Sequence, residues 1–433
     1  MFRARLGTFA ATLIIMTTSH AAAPWTPTEE DKAREARMEE LAKDPAVIEA
    51  QVQASAENMQ WTEGLFCSAL GPESPPGIRL AALNAAEQMT SHTTFNVQCP
   101  AIADESGRQA VARQAMRDGW ESPAVLARVY QNFCVGSTAA DWCDADAVIE
   151  QLARLEPDNA FVTLLPLQDS AFTADVPEIP HDIAEARILE AAAGTRFEDH
   201  KTAFAYDAYQ VSHDYAQRHP APELPPALQR VAREIGFTPP KDTAIAPATA
   251  LAAFSNISTT GGWSVIRRVC DDAAAGPPGP LLDACHDVAE LMAGSSSELT
   301  HQQGRAMQGA WQWKARSLTD EQAQAERILD FRLQTLVSRC QQPRNPQAMV
   351  MKPEAFDPES FVQLLRDAQA YGEREAYRLA AEREYKAHPD WYVIDPARCK
   401  NVYSLDADTR ADLAELSELE GWDEAVKTFA DQL

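Results

Sequence analysis

The chain reads as an all-α protein, an array of antiparallel helical hairpins stapled by disulfides. Alanine supplies roughly one residue in six, Leu, Glu, Gln and Arg are plentiful, and β-branched runs are scarce. That is a helix-forming vocabulary. Alternating apolar and polar runs bounded by Asn-Gly or Asp-Gly turns are missing, so strand hairpins are not expected. Eight cysteines, an even number, run from Cys67 to Cys399 without a Cys-x-x-Cys pair; they suit disulfides better than zinc.

The first residues predict an export signal: basic Arg3 and Arg5, an apolar stretch over 6–18, and small residues ending at Ala23 before Pro24. Cleavage is expected after Ala21, because a cut after Ala23 would place Pro24 at the new N-terminus. No cysteine stands directly after the apolar stretch, so a lipid anchor is not expected. Loss of residues 1–21 removes two arginines and no acids, which takes the net charge from -26 to -28 and leaves 412 of 433 residues.

Amphipathic stretches separated by Pro, Gly and Ser predict helices over 27–61 with a break near Pro45, then 76–90, 106–118, 123–135, 143–155, 158–172, 180–193 and 198–218. Further helices are expected over 225–235, 246–256, 261–272, 279–293, 298–316, 319–339, 357–388, and 405–430 with a break near Gly421. Asp357 before Pro358, and Ser317 ahead of Asp320 and Glu321, are start signals. His219-Pro220, Gly236, Gly294 and His388-Pro389 are stop signals. The proline-rich run 219–247 divides a helical half over 22–218 from one over 248–433, and 341–353 reads as a long surface loop.

Local context favours pairing of neighbouring cysteines. Cys134 ends one helical pattern and Cys143 opens the next, and Cys270 and Cys285 flank a Gly-Pro-Pro-Gly-Pro turn in the same way. Cys67 with Cys99, and Cys340 with Cys399, are what remains. Disulfides and an export signal together predict an oxidising compartment, so the chain is expected to be periplasmic or secreted.

Ser122-Pro123 starts one helix, Glu156-Pro157-Asp158-Asn159 follows another, and Pro123 and Pro157 lie 34 residues apart. This spacing, with Leu152-Ala-Arg-Leu-Glu-Pro-Asp-Asn-Ala160 as a junction between units, resembles the tetratricopeptide helical repeats over about residues 122–193. The Gly and Tyr expected inside such helices are not at the family's positions, and no ligand-binding residues carry over. The resemblance implies a superhelical stack whose concave face binds a peptide or protein.

The charge of -26 disfavours nucleic acid and anionic membrane surfaces, and no stretch beyond residue 20 has the length of apolar sequence that spans a bilayer. His-Glu-x-x-His, Gly-x-Ser-x-Gly, phosphate-loop, dinucleotide and Ser-x-x-Lys motifs are absent. No cofactor, metal or catalytic residue is therefore expected. His181-Asp182, His213-Asp214 and His286-Asp287 are adjacent pairs that diverge around a helix, and read as surface or capping residues.

Two places could bind a ligand. Tyr206, Tyr209 and His213 fall at i, i+3 and i+7 and share one helix face near Glu198 and Lys201, either as a polar site or as aromatics packed between helices. Trp311 and Trp313 lie about 200° apart around a helix, so one of them could be an exposed anchor. The leading expectation is an exported module that binds another envelope protein or peptide. The alternatives are an envelope hydrolase or lyase with a site assembled from distant helices, or an acidic inhibitor of a basic enzyme. Oligomeric state is not legible.

Overall fold

The computed structural model describes residues 29–92, 99–135, 140–167, 179–234, 260–315, several positions between 322 and 340, and 358–432 apart from 420 and 431. Every regular element among them is helical; one isolated parallel bridge, Asn159 to Arg196, is the sole strand-like pairing described. No helix of the described residues is long and apolar enough to cross a membrane.

Caps and prolines set many of the boundaries. After α1 (Glu29–Leu41), the Asp44 side chain accepts from the Ala46 N–H and Pro45 fills the first helical position, so α2 (Pro45–Ala69) begins at the expected break. α3 (Pro76–His92) follows, then α4 (Glu105–Asp118), where Asp104 accepts from the Gly107 N–H. Ser122 and Pro123 start α5 (Pro123–Val129), which runs into one wider π turn, Tyr130–Cys134. Asp144 caps α6 (Ala145–Leu155) and Asn159 caps α7 (Ala160–Leu164). The next helices are α8 (His181–Ala191), α9 (Ala205–Arg218) and α10 (Pro226–Glu234).

α11 (Thr260–Ala275), α12 (Pro280–Ala293) and α13 (Glu298–Ala315) form a compact three-helix unit. α12 and α13 approach so closely that a Cβ on Gly304 would lie 2.3 Å from the Ala293 nitrogen. α14 (Pro358–Tyr371) and α15 (Glu373–Ala387) form a hairpin, and α16 (Ala407–Leu419) packs on α17 (Trp422–Thr428). His219, Gly294 and His388 are C-caps, as their stop signals predict.

Three expected helices differ. The stretch 158–172 is helical in α7 and in one further turn to 167. The stretch 198–218 begins only at Ala205, because side-chain bonds hold the preceding residues in turns, with His200 at a left-handed φ of 56°. The stretch 357–388 is broken at Gly372, whose φ of 86° suits glycine and whose Cα faces Ser296 so closely that a Cβ would stand 2.4 Å from the Ser296 Cβ. Within 219–247, α10 packs on α2 and is a built element rather than spacer. The export signal, the Asp357 and Ser317 start signals, Gly236, and the stretches 246–256 and 341–353 lie outside the described residues.

One apolar core extends from Leu65 to Met307 and takes side chains from both sides of the proline-rich run: Leu83, Leu126, Phe161 and Ile188 from one side, Val269, Val288 and Met292 from the other. Alanine does what its abundance predicts, since Ala81, Ala82, Ala85, Ala112 and Ala115 are wholly buried and let α3 and α4 lie close together. A second, small core holds Leu333, Leu336, Val402, Leu413 and Val426. A third, between α9 and the α14–α15 hairpin, holds Ala205, Leu365, Ala368 and Ala376.

The cysteines pair as neighbours: Cys67 with Cys99, Cys134 with Cys143, Cys270 with Cys285 and Cys340 with Cys399, with Cα atoms 5.0 to 5.8 Å apart. None is left free. Four bonds of this kind persist in an oxidising compartment.

Candidate functional site

α9 begins where α14 crosses it, and α14 fixes that start. The backbone N–H groups of Tyr206 and Asp207 both donate to Gln369 Oε1, at 2.8 and 3.1 Å, while Gln369 Nε2 donates to Asp207 Oδ1 at 3.1 Å. A side chain from another helix thus satisfies first-turn donors that have no partner inside α9. Thr202 Oγ1 donates to the Ala368 carbonyl at 2.7 Å and ties the preceding turn to the same helix.

The turn itself is anchored from behind. Asn159 Oδ1 accepts from the Glu198 N–H, and Asn159 Nδ2 donates to the Glu198 carbonyl and to Glu156 Oε2. His200 Nε2 lies 2.8 Å from Glu156 Oε2, and Arg196 donates to Glu156 Oε1 at 3.0 Å. Burial alone would push the Glu156 carboxyl up; the bonds from His200, Asn159 and Arg196 outweigh it and hold it down at about 2. Further along, Ser296 donates to Glu198, Thr300 donates to buried Asp199, and Lys201 pairs with Glu373 at 3.0 Å. Glu198 and Lys201 therefore face Ser296, just before α13, and Glu373 of α15 from a turn, and do not extend the aromatic face of α9 as the sequence predicts.

On this fixed helix the three predicted side chains do come together. The Tyr206 and Tyr209 rings stack with centroids 6.1 Å apart at 21°, and those of Tyr209 and His213 lie 5.4 Å apart at 30°. Tyr209 Oη is 3.3 Å from His213 Nδ1, and Gln217 Nε2 is 3.3 Å from His213 Nε2. A neutral imidazole protonated on Nδ1 satisfies both contacts, donating to the phenol and accepting from the amide. Arg366 of α14 donates from Nη2 to Tyr206 Oη at 2.7 Å, and its guanidinium carbon stands 4.7 Å from the centre of the Tyr206 ring.

The ladder lines an open cleft of about 470 Å³ between α9, α14 and the turn that carries Glu73 and Pro75. Leu365 and Ala368 of the small α9–α14 core lie beneath. Three carboxylates border it, Glu73, Asp207 and Asp214, against the single guanidinium of Arg366. None of the three makes an ion pair among the described residues. The surface is aromatic on its faces, polar at its tips and net negative at its rim.

No family model, curated protein or solved structure matches the chain.

Trp311 and Trp313 sit on α13, far along the chain from this cleft; their side chains lie outside the described positions. No group of three or more His, Cys, Asp or Glu among the described residues is placed to hold a metal ion. Arg366, Gln369 and Glu73 are what the sequence does not reveal: two arrive from about 160 residues later and one from a turn before α3, and no local pattern marks them. Asp214 is visible in the His213-Asp214 pair, and both members line the cleft.

Proposed function

We propose that the protein is an exported, periplasmic or secreted binding module that holds a peptide or a segment of another envelope protein in the α9–α14 cleft. The observation that carries this reading is the stacked Tyr206–Tyr209–His213 ladder, seated on a helix whose start is pinned from a second helix. Rigid aromatic faces with polar tips give large contact area at little conformational cost. The four disulfides support the oxidising compartment and with it the reading of residues 1–21 as a signal. The hairpin pairs around α5 to α8 are compatible with a tetratricopeptide-like array serving as the scaffold.

A carboxyl and an imidazole do meet elsewhere, at Glu156 and His200, the kind of pair an envelope hydrolase would need. There, Glu156 is 8% exposed and held ionised by three donors, a poor proton donor and a good structural lock.

The test is a photo-crosslinking residue at Val362, in the cleft, compared with one at exposed Leu419 on α16. In the native host, Val362 should give a discrete protein adduct that Leu419 does not. Adducts of equal pattern at both positions, or none at Val362, would refute the reading.

A further inference from the structure

We infer that the chain carries a carboxylate-binding site at Arg128, in which the Phe204 ring stands where the ligand goes and is displaced when one binds. The site uses none of the rings of the ladder and does not depend on what the cleft holds.

Arg128 belongs to α5, where every residue from Ala124 to Tyr130 is buried. Its side chain is 1% exposed, and its Nε and Nη2 have no hydrogen-bond partner among the described residues. Burial pushes the guanidinium down to about 9, and no neighbouring charge offsets it. A buried cation in this state is costly unless an anion meets it. On α3, which packs on α5, the similarly buried Arg79 is met in that way by Asp118 at 2.5 Å. The two unbonded nitrogens of Arg128 form one edge of the guanidinium, the edge that can grip both oxygens of a carboxylate with parallel bonds. Arg37 turns the same edge to Glu234.

The face of Arg128 is covered by the Phe204 ring, whose centre lies 4.7 Å from the guanidinium carbon. The tip of that ring abuts the first turn of α3, since a Cβ on Gly77 would stand 2.3 to 2.4 Å from three of its atoms. Cα–Cβ bonds tilt toward a helix N-terminus, so the ring lies off the end of α3 that carries partial positive charge. An apolar ring thus separates two groups that both attract an anion, and a planar carboxylate is small enough to take its place. Phe204 is placed to move. It lies in the turn ahead of α9, its ring makes no hydrogen bond that rotation would break, and it is 8% exposed. Tyr206 just beyond it, and Pro75 just ahead of the Pro76-Gly77 turn, line the cleft, which gives the ring somewhere to swing.

Heteronuclear NMR of the full-length disulfide-bonded protein can follow the Arg128 Nε–H, identified by its loss in R128M. Sodium acetate should move this resonance saturably, and sodium chloride at equal ionic strength should not. Acetylglycylglycine and its C-terminal amide separate two sources of the carboxylate. A shift with the acid and none with the amide would make a peptide C-terminus a ligand, whereas a shift with acetate alone would confine the site to small free acids. In F204A, acetate should bind on the order of tenfold more tightly than in the parent, because no ring has to be lifted off the guanidinium. F204L makes the same comparison if F204A does not fold. An Arg128 resonance that acetate moves no more than chloride does, in the parent and in the Phe204 variant, would overturn the site. Equal acetate affinity of the Phe204 variant with and without R128M would overturn it as well.

Discussion

Glu156, which is buried, and His301, which is partly buried, are two titratable groups whose folded states dislike acid for opposite reasons. Glu156 is ionised and bonded to His200, Asn159 and Arg196, and its carboxyl sits at about 2 against an ordinary 4.5. Its contribution is present above pH 4.5 and is lost as pH falls toward 2. His301 is neutral: burial first, then the positive charges of Arg374 and Arg305, press its imidazole down from 6.5 to about 4, while Nδ1 donates to the Ala293 carbonyl. Between pH 6.5 and 4 the unfolded chain takes up a proton that the folded chain refuses, so stability falls as pH falls through that window. Urea unfolding at pH 7 and pH 4.5 should therefore show a smaller acid loss for His301→Gln than for the parent, by roughly 2 kcal/mol after allowance for partial exposure. An identical loss in both would show that His301 does not titrate in this range. Nothing in the sequence marks the charge state of either residue, nor Arg128, which is 1% exposed over the Phe204 ring with two of its guanidinium nitrogens unbonded among the described residues. By contrast, the spacing of Tyr206, Tyr209 and His213 is legible, since a helix face is a property of neighbours along the chain.

Helix boundaries were legible where short polar residues and proline set them, as at Asp44-Pro45, Ser122-Pro123 and His388-Pro389. They were not legible where a distant side chain decides. Residues 198–204 have the composition of a helix, yet Asn159 bonds both backbone groups of Glu198 and Asp199 reaches Thr300, so the helix waits until Ala205. Gln369 then caps it from α14. Gln369→Ala leaves the Tyr206 and Asp207 donors without that acceptor and should cost about 1 kcal/mol, the usual scale for a lost cap. It should also weaken whatever binds the cleft, because the ladder starts at the residue being capped. Gln363→Ala is the control on the same helix: its bond to Asp367 is an i,i+4 contact worth a few tenths of a kcal/mol. Chemical denaturation of the two variants checks this, and equal losses would argue against a special role for Gln369.

On the scale of the whole molecule, the proline-rich run suggested two halves, whereas the apolar surface follows a different division: a large core from Leu65 to Met307 and a small one around Leu336, Val402 and Leu413. Composition could not show this, because the contacts of α8 with α11 and α12 join segments far apart in sequence. The two cores should depend on their disulfides to different degrees. Cys340–Cys399 spans 59 residues and lies within the small core, whereas Cys134–Cys143 spans 9 and has Cys134 in the large one. Restriction of the unfolded chain gives about 4 kcal/mol for the longer loop and about 2.5 for the shorter. A small core has less buried surface to offset such a loss. C340A/C399A should therefore unfold the C-terminal elements at a lower temperature than the rest, with early proteolysis over residues 396–430 and protection of 65–167. C134A/C143A should instead lower the main transition modestly and leave 396–430 protected. A single transition lowered equally by both pairs would mean that the two cores unfold as one, with the α14–α15 hairpin against α9 as the coupling between them.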